Sequence, residues 1–501
     1  MTEKSIIVIG AGLAGLSAGC YAQMNGYRCH TFEHHSKPGG VAAAWKREGY
    51  LIDGGIHFLI GHRPGQPIFE LYRELGIQTD DFPTLITYSR FIDEASGVSL
   101  DITGDLERLM HDLKAIAPAD AGLIDDLVAG ACAMQGSTIL FEAGTGKPPE
   151  LMNPLDLLRQ FWSMRRTFKY FTGKYAKPLA NYALAAHSQL LRQTLENLFL
   201  PEVPVWFVFM LMALLADGQI GLLPTGCRGF VMPIEERYKA LGGTMTYEAT
   251  VKEIIVEDDR AVGVSLIDGS THRADVVISA ADGHSTIFKM LGGRYVTKKT
   301  RERYCNWKLI RPVLMVSFGV AREFPDDPHM SFIILKDAIT VGNQEIVGFS
   351  LRIFNYSTGF APRGKTVVQV MLETEWDFWN DLQEDRQRYE AEKQRVAKKV
   401  LARLEAHYPG ISSLVEVTDV VTPYTTWRYT LNYKGAYMGW LPTPKALMTT
   451  IPRTLPGLAN FYIAGQWVLP GGGVPPCLYS GRHVIQILCK RDRKPFSSTT
   501  G

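Results

Sequence analysis

The residues best suited to chemistry open the chain: Gly10, Gly12 and Gly15, spaced as G-x-G-x-x-G. They follow the apolar run at 6–9 and precede a segment of small residues, so we expect strand, loop and helix in that order. In such a loop the first glycine permits a tight turn, the second lets the backbone approach a phosphate, and the third lets helix and strand pack closely. The N-terminus of the helix, near Ala14, would face the phosphates. The pattern predicts a dinucleotide-binding loop.

A carboxylate stands where a ribose would need it. A second strand is predicted at residues 28–32 and is followed by Glu33, which could accept hydrogen bonds from an adenosine ribose with a free 2′-hydroxyl. The adjacent His34 is expected near the same ribose. The alternative, an ordinary strand-to-loop turn at the glycines, is disfavoured because strand, helix and Glu33 all occur in the required order.

Two later glycine-bearing segments could contact the rest of a dinucleotide. The stretch 34–61 contains Lys37, the pair Gly39-Gly40 and a D-x-G turn at 53–55. The stretch 460–482, NFYIAGQWVLPGGGVPPCLYSGR, reads as a strand, a glycine loop and a helix. Open backbone N–H groups in that loop and the positive end of the helix would favour an anionic ring or phosphate.

These segments carry a family resemblance. The stretch 34–61 resembles the second flavin-contacting region of the flavoprotein group that includes amine oxidases and carotenoid desaturases. The stretch 460–482 resembles the closing motif of the FAD-dependent phytoene desaturase, carotenoid isomerase and retinol saturase family. An arginine that commonly follows the glycine pair in this group is Val41 here. The resemblance implies FAD contacts at Gly10, Gly12, Ala14, Gly15, Glu33, His34, Lys37, Gly39, Gly40, Gly54, Gly55, Ile56, His57, Val251, Gly465, Gln466, Gly473, Val474 and Pro475.

A middle segment, residues 225–286, is similar to the same family. It predicts a helix, a strand at 243–247, a three-stranded meander turning at 258–259 and 268–269, and a last strand at 276–280. In the family the strand that holds Val251 passes the adenine. The resemblance therefore extends from end to end of the chain, and it is densest in the flavin-binding parts.

The flavin motifs at the two ends must meet in space, so we expect interleaved domains. The predicted fold class is α/β: a Rossmann-type FAD-binding domain at 1–90, 222–300 and 440–501, interleaved with a mixed α+β substrate domain at 91–221 and 301–439. A net charge of +2 gives no case for nucleic acid. Seven cysteines without a C-x-x-C motif indicate neither a disulfide framework nor a metal site.

Two patterns bear on membranes. The first predicted strand leaves no room for a cleavable signal, and no apolar run reaches the roughly 18 residues of a spanning helix, so a cytoplasmic protein is expected. Within 155–177, however, Arg159, Arg165, Arg166 and Lys169 alternate with aromatic residues without an acidic one after 156. A basic, aromatic helix of this kind can lie at a membrane surface. The alternative is a solvated basic face.

The expected chemistry follows from the resemblance. It implies an oxidoreductase acting on carbon–carbon bonds of a hydrophobic small molecule, a polyene, isoprenoid or lipid, with the electron partner unassigned. The apolar segment 203–216 would be a tunnel wall or an ordinary core helix. His57 is the candidate for proton transfer, and its alternative role is packing of the loop. A flavin amine oxidase and a non-catalytic FAD-binding protein remain as alternatives.

Overall fold

The computed structural model describes residues 3–499. Its strands are β1 (Ser5–Ile9), β2 (Arg28–Phe32), β3 (Ala44–Arg47), β4 (Tyr50–Asp53), β5 (Leu59–Ile60), β6 (Thr87–Asp93), β7 (Ser99–Thr103), β8 (Ile220–Gly221), β9 (Thr244–Thr246), β10 (Val251–Glu257), β11 (Arg260–Leu266), β12 (Thr271–Arg273), β13 (Val276–Ser279), β14 (Val313–Val320), β15 (Met330–Val341), β16 (Gln344–Ile353), β17 (Thr366–Glu373), β18 (Val415–Val421) and β19 (Phe461–Ile463).

Its α-helices are α1 (Leu13–Met24), α2 (Pro67–Glu74), α3 (Leu106–Ile116), α4 (Ala121–Met134), α5 (Ile139–Thr145), α6 (Pro154–Met164), α7 (Leu179–Ala183), α8 (Gln189–Glu196), α9 (Val205–Ala216), α10 (Gly226–Ala240), α11 (Lys298–Asn306), α12 (Trp376–Leu382), α13 (Arg386–His407), α14 (Pro423–Thr430), α15 (Pro444–Leu447) and α16 (Val474–Arg491). Single turns of 3₁₀-helix lie at Pro118–Asp120, Pro149–Leu151, Phe168–Phe171, Gly173–Ala176, Ile411–Leu414 and Tyr433–Gly435, and a π-helical turn at Ser285–Met290.

A five-stranded parallel sheet positions the site. Its strand order is β19-β13-β1-β2-β9, and β1 pairs in parallel with β2 on one side and β13 on the other. The chain therefore changes direction across the sheet at β1, the point at which open parallel sheets bind ligands. This arrangement confirms the Rossmann-type fold class.

The two ends of the chain meet beside this sheet. The Ser17 hydroxyl on α1 donates a hydrogen bond of 2.7 Å to the Leu478 carbonyl on α16. The helices cross so closely that a Cβ at Gly481 would lie 2.6 Å from the carbonyl oxygen of Ala14. Close packing of α1 on α16 brings the last glycine segment to the first.

The predicted meander is confirmed as the antiparallel sheet β10-β11-β12. Its first turn has positive φ at Asp258 and Asp259, and its second at Gly269. Aspartate tolerates the left-handed region better than most residues, which suits a tight hairpin turn.

A seven-stranded mixed sheet forms the second part, in the order β18-β14-β17-β16-β15-β6-β7. All its neighbours are antiparallel except β15 and β6. The expected boundary at residue 90 falls inside β6, all of which belongs to this sheet. The exact division into domains stays a prediction.

The basic, aromatic stretch is not one helix. α6 ends at Met164, and a turn and two 3₁₀ segments follow. The chain bends back because Tyr170 is buried and packs against Phe209 of α9, with ring centroids 5.8 Å apart. A glycine with φ of +59°, Gly173, permits the next change of direction.

Within residues 3–499 no helix has both the length and the apolar character needed to cross a bilayer.

Candidate functional site

One continuous cavity of about 980 Å³ joins the carboxyl edge of the parallel sheet to the seven-stranded sheet. Gly10, Glu33, Ala280 and Gly465, which follow β1, β2, β13 and β19, all line it. Its other end is lined by β14–β17 and by α9. One end of the cavity thus lies at the edge of a Rossmann-type sheet. The other end, called the chamber below, lies between the seven-stranded sheet and α9.

The glycine loop at residues 10–15 makes the tight turn that its spacing predicts. Gly10 has φ of +93°, and the backbone N–H of Gly10 donates to the Phe32 carbonyl at 2.8 Å. Gly12 has φ of −68° and precedes the first turn of α1. A Cβ at Gly12 would meet no protein atom nearer than 4.0 Å. Nothing in the protein therefore requires a glycine at position 12, whereas a phosphate lying against the backbone would.

Glu33 ties β2 to the phosphate loop. Its carboxylate accepts from the N–H of Ala11 at 2.6 Å and from the N–H of His35 at 2.8 Å. Burial raises the pKa of Glu33, and the backbone hydrogen bonds from His35 and Ala11 oppose that rise. Each carboxylate oxygen accepts more than one hydrogen bond, so Glu33 can also bind the hydroxyls of a ribose in the cavity.

His34 is held by its own contacts at the cavity wall. Its Nδ1 lies 2.7 Å from the Thr250 hydroxyl and its Nε2 lies 3.1 Å from the Arg428 carbonyl. The ring therefore links the end of β2 to the residue before β10 and to α14. Val251, the first residue of β10, lies beside it on the cavity wall.

Most of the residues named from the sequence line the cavity. Those that line it are Gly10, Gly12, Ala14, Glu33, His34, Gly39, Gly40, Gly55, Ile56, His57, Val251, Gly465, Gln466, Gly473, Val474 and Pro475. They come from segments separated by more than 400 residues of sequence.

Three named residues do not line the cavity. Gly15 faces the protein, because a Cβ there would lie 1.9 Å from the carbonyl oxygen of Gly10. A Cβ at Gly54 would lie 2.8 Å from the Trp45 ring, so Gly54 also serves packing. Lys37 is exposed to solvent and is not among the residues that line the cavity.

The loop after β4 is clamped from behind. The Asp53 carboxylate accepts from the N–H groups of Gly55, at 3.2 Å, and Cys227, at 2.5 Å. The N–H of Ile56 points to the Cys227 sulfur at 3.0 Å. These contacts turn the backbone of 55–57 along the cavity.

His57 lies on this loop at the cavity wall, and its side chain is otherwise enclosed by protein. Burial, together with the nearby Arg352 and His329, holds the pKa of His57 well below its usual value. The imidazole is therefore neutral at pH 7. A neutral ring can accept a proton, although the lowered pKa makes it a weaker base than a solvated histidine. Its role in proton transfer stays a prediction.

The last glycine segment reaches the cavity through α16. The N–H of Gly465 donates to the Ser480 hydroxyl at 2.6 Å. Gly473, with φ of +88°, precedes the first residue of α16, and Val474 and Pro475 form its first turn. The positive end of an 18-residue helix thus faces the cavity.

The chamber on the second sheet is largely apolar. Trp206, Phe207, Leu211 and Leu214 of α9 line it, and most other residues of this helix are buried in the core. The segment 221–229 does not line the chamber. Tyr437, Trp467 and Tyr479 also reach the cavity, whereas Arg228 does not.

Sequence reasoning missed other lining residues. They include Phe58, Tyr88, Phe332, Phe349 and Met371 on the chamber, and Lys252, Asp282, Ser285 and Lys289 near the sheet edge. The chamber residues carry no local motif, because strands that pair only in the folded sheet bring them together. Among residues 3–499 no group of three His, Cys, Asp or Glu side chains could hold a metal ion.

Comparison with known proteins agrees with this geometry. Residues 13–486 match the model of the flavin containing amine oxidoreductase family. The chain is 25% identical to the chloroplastic prolycopene isomerase of Arabidopsis thaliana, over 95% of this chain and 81% of that protein. It is 24% identical to a lycopene-forming phytoene desaturase of Pseudescherichia vulneris, over 97% of this chain and 99% of that protein.

Solved structures share the fold. An oxidoreductase from Methanosarcina mazei is 16% identical with a TM-score of 0.60, covering 96% of this chain and 100% of that one. Putrescine oxidase bound to putrescine is 13% identical with a TM-score of 0.61, covering 98% of this chain and 99% of that one. The family match spans nearly the whole chain and includes both ends of the cavity. The protein is therefore a flavoprotein oxidoreductase that belongs to the flavin containing amine oxidoreductase family.

Proposed function

We propose that the protein is an FAD-dependent oxidoreductase acting on carbon–carbon bonds of a hydrophobic polyene, isoprenoid or other lipid, by desaturation, saturation or isomerisation. One observation carries this proposal: a single cavity links the sheet edge that bears Glu33 to a chamber lined by apolar and aromatic side chains. A dinucleotide with its adenosine at Glu33 would extend its other end toward that chamber.

FAD, among flavins, suits this cavity best. The Glu33 carboxylate is placed to bind ribose hydroxyls, and FMN has no adenosine ribose to occupy that position. The open space over Gly12 suits a pyrophosphate. Carotenoid desaturases and isomerases among the relatives support a polyene as the substrate class.

The residues of the chain have three roles in this reaction. The walls from α9 and the seven-stranded sheet orient an apolar chain and exclude water. The clamp of Asp53 and Cys227 holds the loop 55–57 in place. In a desaturation, neutral His57 would accept the proton from one carbon while bound flavin would accept hydride from its neighbour, and in a saturation both transfers would run in reverse.

Amine oxidation is a second candidate function. Trp467, Tyr437 and Tyr479 all reach the cavity, and aromatic side chains are the groups that would enclose an amine beside a flavin. Amines added to the oxidised protein under anaerobic conditions would then bleach the flavin absorbance. Polyenes would not.

The proposed reaction is tested by incubating the purified protein with a cis-polyene, with the flavin either oxidised or reduced beforehand. Mass spectrometry of the extracted lipid would show loss of two hydrogens for a desaturase and gain of two for a saturase. Isomerisation would change the chromatographic retention without a change in mass. Unaltered polyene under both conditions, with FAD bound, would contradict the proposed activity.

We also propose that the protein docks on a membrane through α6. Leu155, Leu158, Phe161 and Trp162 are each 56–65% exposed, and no residue of this helix is buried. The basic residues Arg159, Arg165, Arg166 and Lys169 lie along the same segment. Anionic lipid complements both the apolar side chains and the cations.

The docking helix is joined to the cavity wall. Phe171, just beyond α6, packs against Trp206 with ring centroids 5.2 Å apart, and Trp206 lines the cavity. A lipid surface bound at α6 would therefore lie near the outer face of the substrate chamber. A water-insoluble substrate could then pass between lipid and protein.

A further inference from the structure

Arg352 is a buried arginine directly behind the cavity loop. It lies on β16, and its side chain is 1% exposed. One terminal nitrogen, Nη1, donates to the Gln369 amide oxygen at 3.0 Å, and Nη2 donates to the Ile56 carbonyl at 3.4 Å. The guanidinium carbon lies 4.6 Å from the centre of the Phe354 ring.

No carboxylate neutralises this charge directly. Within residues 3–499 the side-chain partners of Arg352 are an amide oxygen and a backbone carbonyl, neither of them a carboxylate, and its buried Nε has no hydrogen-bond partner. The Asp53 carboxylate, at the end of β4, accepts from Gly55 and Cys227 instead. A buried charge is costly unless it is paired, so a guanidinium left in this state indicates a function outside the fold itself.

The contact with Ile56 orients a peptide group. The described chain contains no cis peptide bond, so the Ile56 carbonyl and the His57 N–H point in opposite directions. Arg352 draws the carbonyl away from the cavity that Ile56 and His57 line. Among the described residues the N–H of His57 has no acceptor. It is therefore free to donate to a ligand.

We propose that Arg352 is a positioning residue for the flavin: it holds the 56–57 peptide so that the His57 N–H donates to the ring, and its buried charge stabilises the anionic reduced form. This rests on the proposed function, since FAD must occupy the cavity. The flavin ring is expected here because Glu33 would bind the adenosine end and the loop 55–57 borders the apolar chamber.

The neutral state of the two neighbouring histidines agrees with this role. Burial and Arg352 lower the pKa of His329 to about 3, and the pKa of His57 is also lowered. Neither imidazole then carries charge at pH 7. Positive charge behind the loop comes from Arg352.

The test is the two-electron midpoint potential of the bound flavin in Arg352→Gln. Loss of a hydrogen bond to a charged group should lower the equilibrium ratio of reduced to oxidised flavin roughly 10- to 100-fold. That change corresponds to a negative shift of about 30 to 60 mV. Arg352→Lys keeps the charge and should recover part of the shift. A merely structural role would lower flavin occupancy or melting temperature and leave the potential of the bound flavin unchanged.

Arg322→Gln is the matched control, because Arg322 stacks on Phe324 at 4.9 Å in the same Arg-x-Phe arrangement but is partly exposed. Its potential should equal that of the wild type. Should Arg352→Gln not fold, Gln369→Glu places a carboxylate against Nη1 and should also lower the potential. A wild-type potential in either flavin-loaded variant overturns the role of Arg352. Absence of FAD from the wild-type protein would instead refute the proposed function.

Discussion

A Cβ atom at Gly15 would lie 1.9 Å from the carbonyl oxygen of Gly10, whereas a Cβ at Gly12 would meet only the Cα of Gly40, at 4.0 Å. Two glycines of one motif are thus required for different reasons. The protein itself needs Gly15, since α1 packs on the turn there. The space over Gly12 is open to a ligand.

Gly12→Val should therefore impair FAD binding, whereas Gly15→Ala should impair folding stability. Gly12→Val should fold with nearly the wild-type melting temperature of the flavin-free protein and lose FAD, because its side chain fills the pyrophosphate space. Gly15→Ala should lower the melting temperature even without flavin, because the clash is with backbone. Absorbance at the flavin bands and thermal unfolding measure both. Full FAD occupancy in Gly12→Val would contradict the phosphate-loop assignment.

Removal of the Glu33 carboxylate should weaken FAD binding without abolishing it. Glu33→Ala loses hydrogen bonds to a charged acceptor, so we expect a loss of about 1.5 to 3 kcal/mol, roughly 10- to 100-fold in Kd. Titration of the apoprotein with FAD measures the change. Glu48→Ala, at an exposed residue outside the cavity, is the control and should bind FAD as the wild type does.

On acidification, FAD should dissociate at a higher pH than the pKa of an ordinary glutamate would predict. Burial raises the pKa of Glu33, so on acidification it takes up a proton at a higher pH than a solvated glutamate. The protonated carboxyl accepts ribose hydroxyls less well, and affinity therefore falls as the pH drops toward that raised value. Kd measured between pH 4 and pH 8 checks this. In Glu33→Gln the pH dependence should disappear.

His57→Gln should retain FAD and fold normally but lose roughly 10²- to 10⁴-fold in turnover, the usual range for a general acid or base. Because the pKa of His57 is held well below its usual value, the rate should show no inflection near pH 6.5. Activity per bound FAD as a function of pH tests both points. Unchanged turnover with lowered flavin content would assign His57 to loop packing.

The same low pKa makes His57 destabilising in acid. Below pH about 6.5 an unfolded histidine takes up a proton that the folded site excludes, so unfolding becomes more favourable as the pH falls. Folding stability should therefore decrease from pH 7 to pH 5, and less so in His57→Gln. Urea unfolding at the two pH values measures the difference. An equal decrease in both proteins would mean that other groups account for it.

The protein should bind anionic vesicles, and salt should release it, because screening weakens attraction between cations and lipid head groups. At about 1 kcal/mol per basic residue, Arg165→Glu with Arg166→Glu should weaken binding by more than about 30-fold. Leu158→Glu with Trp162→Glu should also prevent flotation. Lys298→Glu with Lys299→Glu on α11, and Met448→Glu at an 82% exposed residue, are the matched controls.

Vesicle binding that does not depend on lipid charge and is unchanged by all of these substitutions would contradict docking through α6. A dimer in solution that Leu158→Glu converts to a monomer would show that a second copy covers the helix instead. Light scattering of the lipid-free protein separates that case from vesicle binding.

The sequence by itself determined the cofactor edge of the protein. The glycine spacing, Glu33 and the closing glycine loop are local patterns, because a turn, a helix start and a strand end depend on neighbouring residues. For the same reason the bounds predicted for β2 and the turns predicted in the meander agree with the structure. Gly10 and Glu33 reach the cavity as expected.

Only the tertiary structure decided the rest of the site. Arg352 lies almost 300 residues from Ile56 in sequence, and no local pattern connects them. The outward position of Lys37 and the packing role of Gly54 depend on neighbours that arrive when the sheets assemble. The charge state of His57 likewise depends on burial and on a guanidinium from another strand. Burial and long-range electrostatics are properties of the assembled fold, so a pattern along the chain does not contain them.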